Sequence, residues 1–270
     1  MNDANELRSG SRVMTRNQMD DRAALFDFTL ALGDDALVLG HRLSEWSGSG
    51  PTLEQDIALS NLGLDLIGQA RLLYTYAGEV EGEGRSEDDL AYFRGQGEFR
   101  NLLITELPIG DFAFTIARHF LYAAFIEPYF SALTRSADEQ LSAIAAKAHK
   151  EMLYHVRHTS EWMIRLGDGT DESRRRLATA LDDIWGYTGE MFEMDGAEQG
   201  LVAAGIAPDR SALKLRWEET VARVLEEATL AMPKPRNMQT GGRRGLHTEH
   251  LGRMLDDMQS LARAHPGAVW

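Results

Sequence analysis

Apolar residues return every three or four positions along most of this chain, a period that suits helices and not strands. Leu25, Phe28, Leu32, Ala36, Leu39, Leu43 and Trp46 form one stripe, the spacing of one face of an α-helix. Phe26, Leu30 and Leu37 form a second stripe on another face, so this first helix is expected to be buried on two sides. "SGSGPT" stops it. Thr52, with Gln55 three residues later, has the form of a capping box and opens a second helix, expected to end near Ala77 and close at Gly78. A third starts near Asp111 and reaches about Arg135, with Pro128 expected to kink or break it. Ser136 and Glu139 suggest another capping box, opening a fourth helix that runs to Leu166. Further helices fit residues 171–193, 210–231 and 247–264. No period-2 run, internal repeat or domain linker interrupts the pattern.

The connections are as informative as the helices. Helices one and two are joined by a few residues, and so are three and four. About thirty residues, "EVEGEGRSEDDLAYFRGQGEFRNLLITELPIG", separate two from three, with room for one or two short helices. Short, long, short is the connectivity of an all-α, ferritin-like four-helix bundle with one long crossover between helices 2 and 3. The additional C-terminal helices would pack against it. Residues 1–20 are polar and read as a flexible tail, and residues 21–270 as a single helical domain.

Charge narrows the partners. Lys+Arg number 28 against Asp+Glu 42, a formal net charge of -14. Such a surface repels phosphate backbones and anionic lipid, so neither nucleic acid nor a membrane is expected as a partner. The absence of cysteine excludes disulfides, thiolate metal sites and a cysteine nucleophile. With no apolar leader and no run long enough to span a bilayer, a cytoplasmic location is expected.

"AHKEMLYHVRH", Ala148 to His158, raises the possibility of a metal. Ferritin-like carboxylate sites take one Glu from each of two helices and Glu-x-x-His from each of two others. Here Glu151 is followed at i+3 by Tyr154, and His155 stands one residue late, about 100° further round the helix. Asp65 is followed at i+3 by Gly68. The third helix, Phe112 to Ile126, has no Asp or Glu. Asp34, Asp35 and Glu45 on helix one could supply a carboxylate. This falls short of a di-iron set, so no catalytic, cofactor or metal residue is assigned. The pattern predicts that Tyr154 points into the bundle and His155 does not. The alternative is an independent metalloenzyme with a Glu/His site around Glu151, His155 and His158. "HTEH" is expected to be a Thr248 cap with exposed histidines, and "GGRRG" an ordered turn.

Several long strings carry a resemblance. "LGDDALVLGHRLSEWSGSGPTLEQDIALSNLGLDLIGQARLLYTYAGEVEG", "FRNLLITELPIGDFAFTIARHFLY", "KEMLYHVRHTSEWMIRLGDGTDES" and "HTEHLGRMLDDMQSLARAHPGAVW" resemble, in order, the C subunits of the ring-1,2-phenylacetyl-CoA epoxidases. These belong to multicomponent bacterial monooxygenases of aerobic phenylacetate degradation. The resemblance spans about residues 24–270. It implies a structural subunit that is itself non-catalytic and binds no cofactor. Its partners would be the catalytic A-type subunit, where the di-iron centre is expected, and other subunits of the complex, with a homodimer when alone. No family metal ligand carries over, because the matching positions read Gly68 and Tyr154. The two-faced helices place the expected interface on helices one to three.

Overall fold

Two 29-residue helices form an antiparallel hairpin: α1 (Arg16–Ser44) and α2 (Leu53–Glu81). Gly40 and Gly63 face each other across it. A Cβ on Gly63 would stand 3.1 Å from the Gly40 carbonyl oxygen, and one on Gly40 3.2 Å from that of Gly63. The missing side chains let the two backbones approach. Thr52 caps α2 as expected, its hydroxyl accepting from the Gln55 N–H. The helix does not end at Gly78. It continues to Glu81 and stops at Gly82, which takes the left-handed conformation (φ 68°). Gly78 is small for another reason: a Cβ there would lie 2.3 Å from the Arg85 carbonyl oxygen.

The computed structural model describes residues 16–234 and 237–268. Residues 1–15 of the expected tail lie outside that range, whereas residues 16–20 already belong to α1. Among the described residues every regular element is helical, and no helix is long and apolar enough to cross a membrane. The second hairpin pairs α5 (Phe112–Leu133) with α6 (Glu139–Gly167). α5 is the axis of the molecule, with 18 of its 22 residues buried, and it runs through Pro128 to Leu133 without a break. α6 is capped by Asp138, not by Ser136. The Asp138 carboxylate accepts from the Leu141 N–H at 2.8 Å, while the Ser136 hydroxyl donates to the Ile206 carbonyl.

The crossover holds the short helices α3 (Glu87–Tyr92) and α4 (Leu103–Glu106). Buried carboxylates tie it down. On α1, Asp34 accepts from Arg94, from the Tyr74 hydroxyl at 2.5 Å and from the Arg100 N–H at 2.7 Å. Its neighbour Asp35 takes the Leu102 N–H at 2.7 Å and Arg243 at 2.6 Å. "GGRRG" is therefore an ordered turn whose Arg243 reaches back to helix one.

α7 (Asp171–Ile184) is shorter than the expected 171–193. Two 3₁₀ turns follow it and carry Glu190 inward. One Glu190 oxygen accepts from the Gly241 and Gly242 N–H groups at 2.8 and 2.7 Å, the other from Leu103 at 2.9 Å. α8 (Gly196–Ala203) was not anticipated, and α9 (Lys214–Glu227) is shorter than expected. α10 (Glu249–Ala264) starts after Thr248, as the cap predicted. It also alters the reading of helix one. Leu30, Leu37 and Val38 cluster with Leu251, Met254 and Leu255 of α10 and with Leu90 of α3. The second stripe of α1 is thus covered by the chain's own C-terminal helix. Among the described residues α1 from Phe28 to Leu43 and α5 are largely enclosed, and of helices one to three α2 keeps an open apolar face. On it Leu53, Ile57 and Leu64 are more than half exposed.

Candidate functional site

A chain of polar side chains runs from the buried interior between α5 and α6 out to the surface of α2. Asp65 and Gln69 lie one turn apart on α2; Glu151 and His155 lie one turn apart on α6. They pair as two rungs. Asp65 Oδ2 is 3.3 Å from His155 Nε2, and Gln69 Nε2 donates to Glu151 Oε2 at 2.9 Å. From α5, His119 Nε2 sits 3.1 Å from His155 Nδ1. Both histidines are fully buried.

Donor logic orders this chain. An ionised carboxylate only accepts, so when His155 carries a single proton it belongs on Nε2, facing Asp65. His155 Nδ1 is then an acceptor, and His119 donates to it through Nε2. That leaves His119 Nδ1 as a bare acceptor, and it has no partner among the described residues. Burial above all holds His119 well below the ordinary imidazole pKa, and the charge of Arg118, like any positive charge taken up by His155 or His158, lowers it further. It is neutral at physiological pH. Its neighbour Arg118 is also fully buried. It donates to the Leu107 and Pro108 carbonyls, and burial lowers its pKa to about 9.

His155 points in and Tyr154, 41% exposed, points out, the reverse of the expectation. The buried arc of α6 runs Leu141, Ala145, Ala148, Met152, His155, Thr159, Met163. Those steps of three and four include His155 and leave Tyr154 about 100° away. That register was legible in the apolar spacing, whereas a metal template anchored on Glu151 selects the neighbouring one. His119 and Gln69 were missed. A histidine inside the apolar run "FAFTIARHFLY" was the available signal for the first, and Gln69, one turn after Asp65, for the second. "HTEH" was half right: Thr248 caps α10, but the His247 side chain is buried.

Comparison with known proteins gives the family. Residues 11–270 match the family model described as phenylacetic acid catabolic protein. The chain belongs to that family. It is 48% identical over 243 residues to the C subunit of 1,2-phenylacetyl-CoA epoxidase from Escherichia coli (strain K12), covering 90% of this chain and 98% of the relative.

The donors of this chain do not make up the ligand set of a di-iron centre. Two irons need about four carboxylates and two imidazoles. Asp65 and Glu151 are the carboxylates in the two rungs. Both ring nitrogens of His155 are occupied, and Glu151 is engaged by Gln69 and, at 3.7 Å, by Lys147. The α1 carboxylates Asp34 and Asp35 are turned to the crossover. Glu45 pairs with Arg42 at 2.6 Å. His158 stacks near Tyr154, with ring centroids 5.8 Å apart, and does not join Glu151 and His155 in one donor set. Among the described residues, no group of three or more His, Asp or Glu side chains is placed to hold a metal ion. The residues present do not fit the pair of irons.

Proposed function

We propose that this chain is a structural, non-catalytic subunit of the multicomponent oxygenase that epoxidises the ring of phenylacetyl-CoA in aerobic phenylacetate degradation. It works in the cytoplasm beside a di-iron catalytic subunit, binds no cofactor itself, and supports the fold and assembly of that partner. The observation that carries the reading is the polar chain between α2, α5 and α6. A hydrogen-bonded Asp65–His155–His119 chain fills the region where a catalytic relative would need converging carboxylates. The membership of the family and the similarity to the C subunit of an epoxidase support the assignment to this enzyme.

The docking face is the open side of α2 with the adjoining side of α6. Leu53, Ile57 and Leu64 lie along one stripe of α2, and Tyr154 stands exposed on α6. Three large apolar side chains along one helix of a strongly acidic protein mark an interaction surface. Without its partner, the same face pairs two copies of the chain.

Reconstitution of ring epoxidation from purified components, with and without this chain, tests the proposal. Metal analysis of each component accompanies it. Activity and iron content of the catalytic partner should fall when the chain is omitted. Iron at one or two equivalents per copy of this chain would refute the non-catalytic reading.

A further inference from the structure

From Ile57 to Ala70, through "IALSNLGLDLIGQA", Asp65 is the one ionisable residue. In a chain where charged residues make up 26%, that is a long uncharged stretch with a carboxylate at its middle. The side chain of Asp65 is 39% exposed and sits beside Leu64, which is 64% exposed. Behind it the buried His155 and His119 continue the hydrogen-bonded chain inward, ending at His119 Nδ1, which has no partner among the described residues. Asp65 is thus where the internal chain reaches solvent, at the edge of the apolar face that adjoins α6.

We infer that the α2–α6 face takes up one proton when it docks its partner subunit, and that the proton resides on the Asp65–His155 pair. This rests on the docking face proposed above. A partner laid on Ile57 and Leu64 removes water from Asp65. An ionised carboxylate stripped of water needs a compensating charge or a proton. Among the described residues the ionisable partner of Asp65 is His155, and the one Arg on this side of α6, Arg157, lies over the Tyr154 ring instead. On α6 the charged or titratable groups around it are Glu151, bridged to Lys147, together with His155 and His158. On α5 they are His119 and the buried Arg118, already bonded to two carbonyls. The imidazole of His155 is in contact with Asp65, so a proton taken from solvent neutralises the pair with the existing hydrogen bond kept. Association then strengthens as pH falls.

Calorimetric titration of the purified di-iron partner into this chain tests the inference, using buffers of different ionisation enthalpy such as phosphate and Tris. The expected result is uptake approaching one proton per complex and a Kd that weakens up to about tenfold per pH unit as pH rises. Asp65→Asn should still bind, with the uptake and the pH slope abolished. Its thermal melt confirms that it is folded. Leu64→Glu should weaken binding at least about tenfold, as a charge in an interface core does. Wild-type binding with no proton uptake, as a cation supplied by the partner would give, overturns the inference and leaves the assignment to the oxygenase standing. An Asp65→Asn profile identical to wild type, or undiminished binding by Leu64→Glu, overturns it equally. No wild-type binding at all overturns the docking reading itself.

Discussion

Two buried polar systems in this molecule are built to different standards. The carboxylates that hold the crossover each accept several hydrogen bonds, although Asn101 Oδ1 and Arg243 Nε beside them have no partner among the described residues. Asp34 accepts from Arg94, Tyr74 and a backbone N–H, and Glu106 accepts from His247, Asn101 and the Thr248 N–H at 2.8, 2.9 and 2.6 Å. The Asp65–His155–His119 chain has fewer bonds per member. Its inner end is His119 Nδ1, without a partner among the described residues, and its outer end is half in water. A densely bonded network of buried charges fixes one arrangement of the backbone, because removing any member strands the others. One with fewer bonds per member contributes less to stability. The crossover acids hold the architecture, and the central chain adds less to it.

Three measurements would sharpen or break that contrast. The largest effect is expected for Asp34→Ala. It leaves Arg94, 3% exposed, without its carboxylate, and should cost about 3–5 kcal/mol in denaturant unfolding. A loss below about 1 kcal/mol would show that the crossover is held by packing instead.

The second concerns His247. Its Nδ1 faces Glu106 at 2.8 Å and its Nε2 faces the Phe99 carbonyl at 2.9 Å. Two acceptors require both nitrogens to carry protons. Burial opposes this, but the hydrogen bonds to Glu106 and Phe99, with the nearby carboxylate charges, outweigh it and raise the pKa above the ordinary imidazole value. A raised folded-state pKa contributes stability that is fully present below the unfolded value of about 6.5 and is lost as pH rises through the folded value. Urea midpoints measured from pH 5.5 to 9 should therefore decline above about pH 6.5, and His247→Gln should flatten that part of the curve.

The smallest effect is expected at the bundle centre. Replacing His119 alone by Leu leaves His155 Nδ1 without its donor and should cost about 1–3 kcal/mol. Replacing His119 and His155 together should recover most of that, because removing both partners of a buried hydrogen bond is nearly neutral. A double variant as damaged as Asp34→Ala would erase the distinction between the two networks.

Much of this was legible in the sequence. The helix periods, the Thr52 and Thr248 caps and the long crossover follow from local chemistry, and so does the shortage of paired carboxylates on the central helices. Boundaries were lost where tertiary contacts outweighed local signals. Asp138 displaced Ser136 as the cap of α6, held in place by the Tyr76 hydroxyl at 2.5 Å. The helix after Asp171 gave way to 3₁₀ turns that carry Glu190 to three backbone N–H groups. No spacing rule could assign Asp34 and Asp35 to the crossover, since Arg94 and Arg243 lie 60 and 208 residues away.

The second stripe of α1 and the orientation of His155 mark the dividing line. Amphipathic pattern determines that a helix face must be covered, because apolar area exposed to water is unfavourable whatever covers it. It is silent on what provides the cover. For α1 the cover is α10, more than two hundred residues downstream, and for the outer side of α2 nothing in the described chain supplies it. Local chemistry thus settles that the chain forms long helices with two-sided burial and a deficient metal motif. Which faces are closed internally, and that a carboxylate and two histidines join across α2, α5 and α6, is decided by packing between helices distant in sequence.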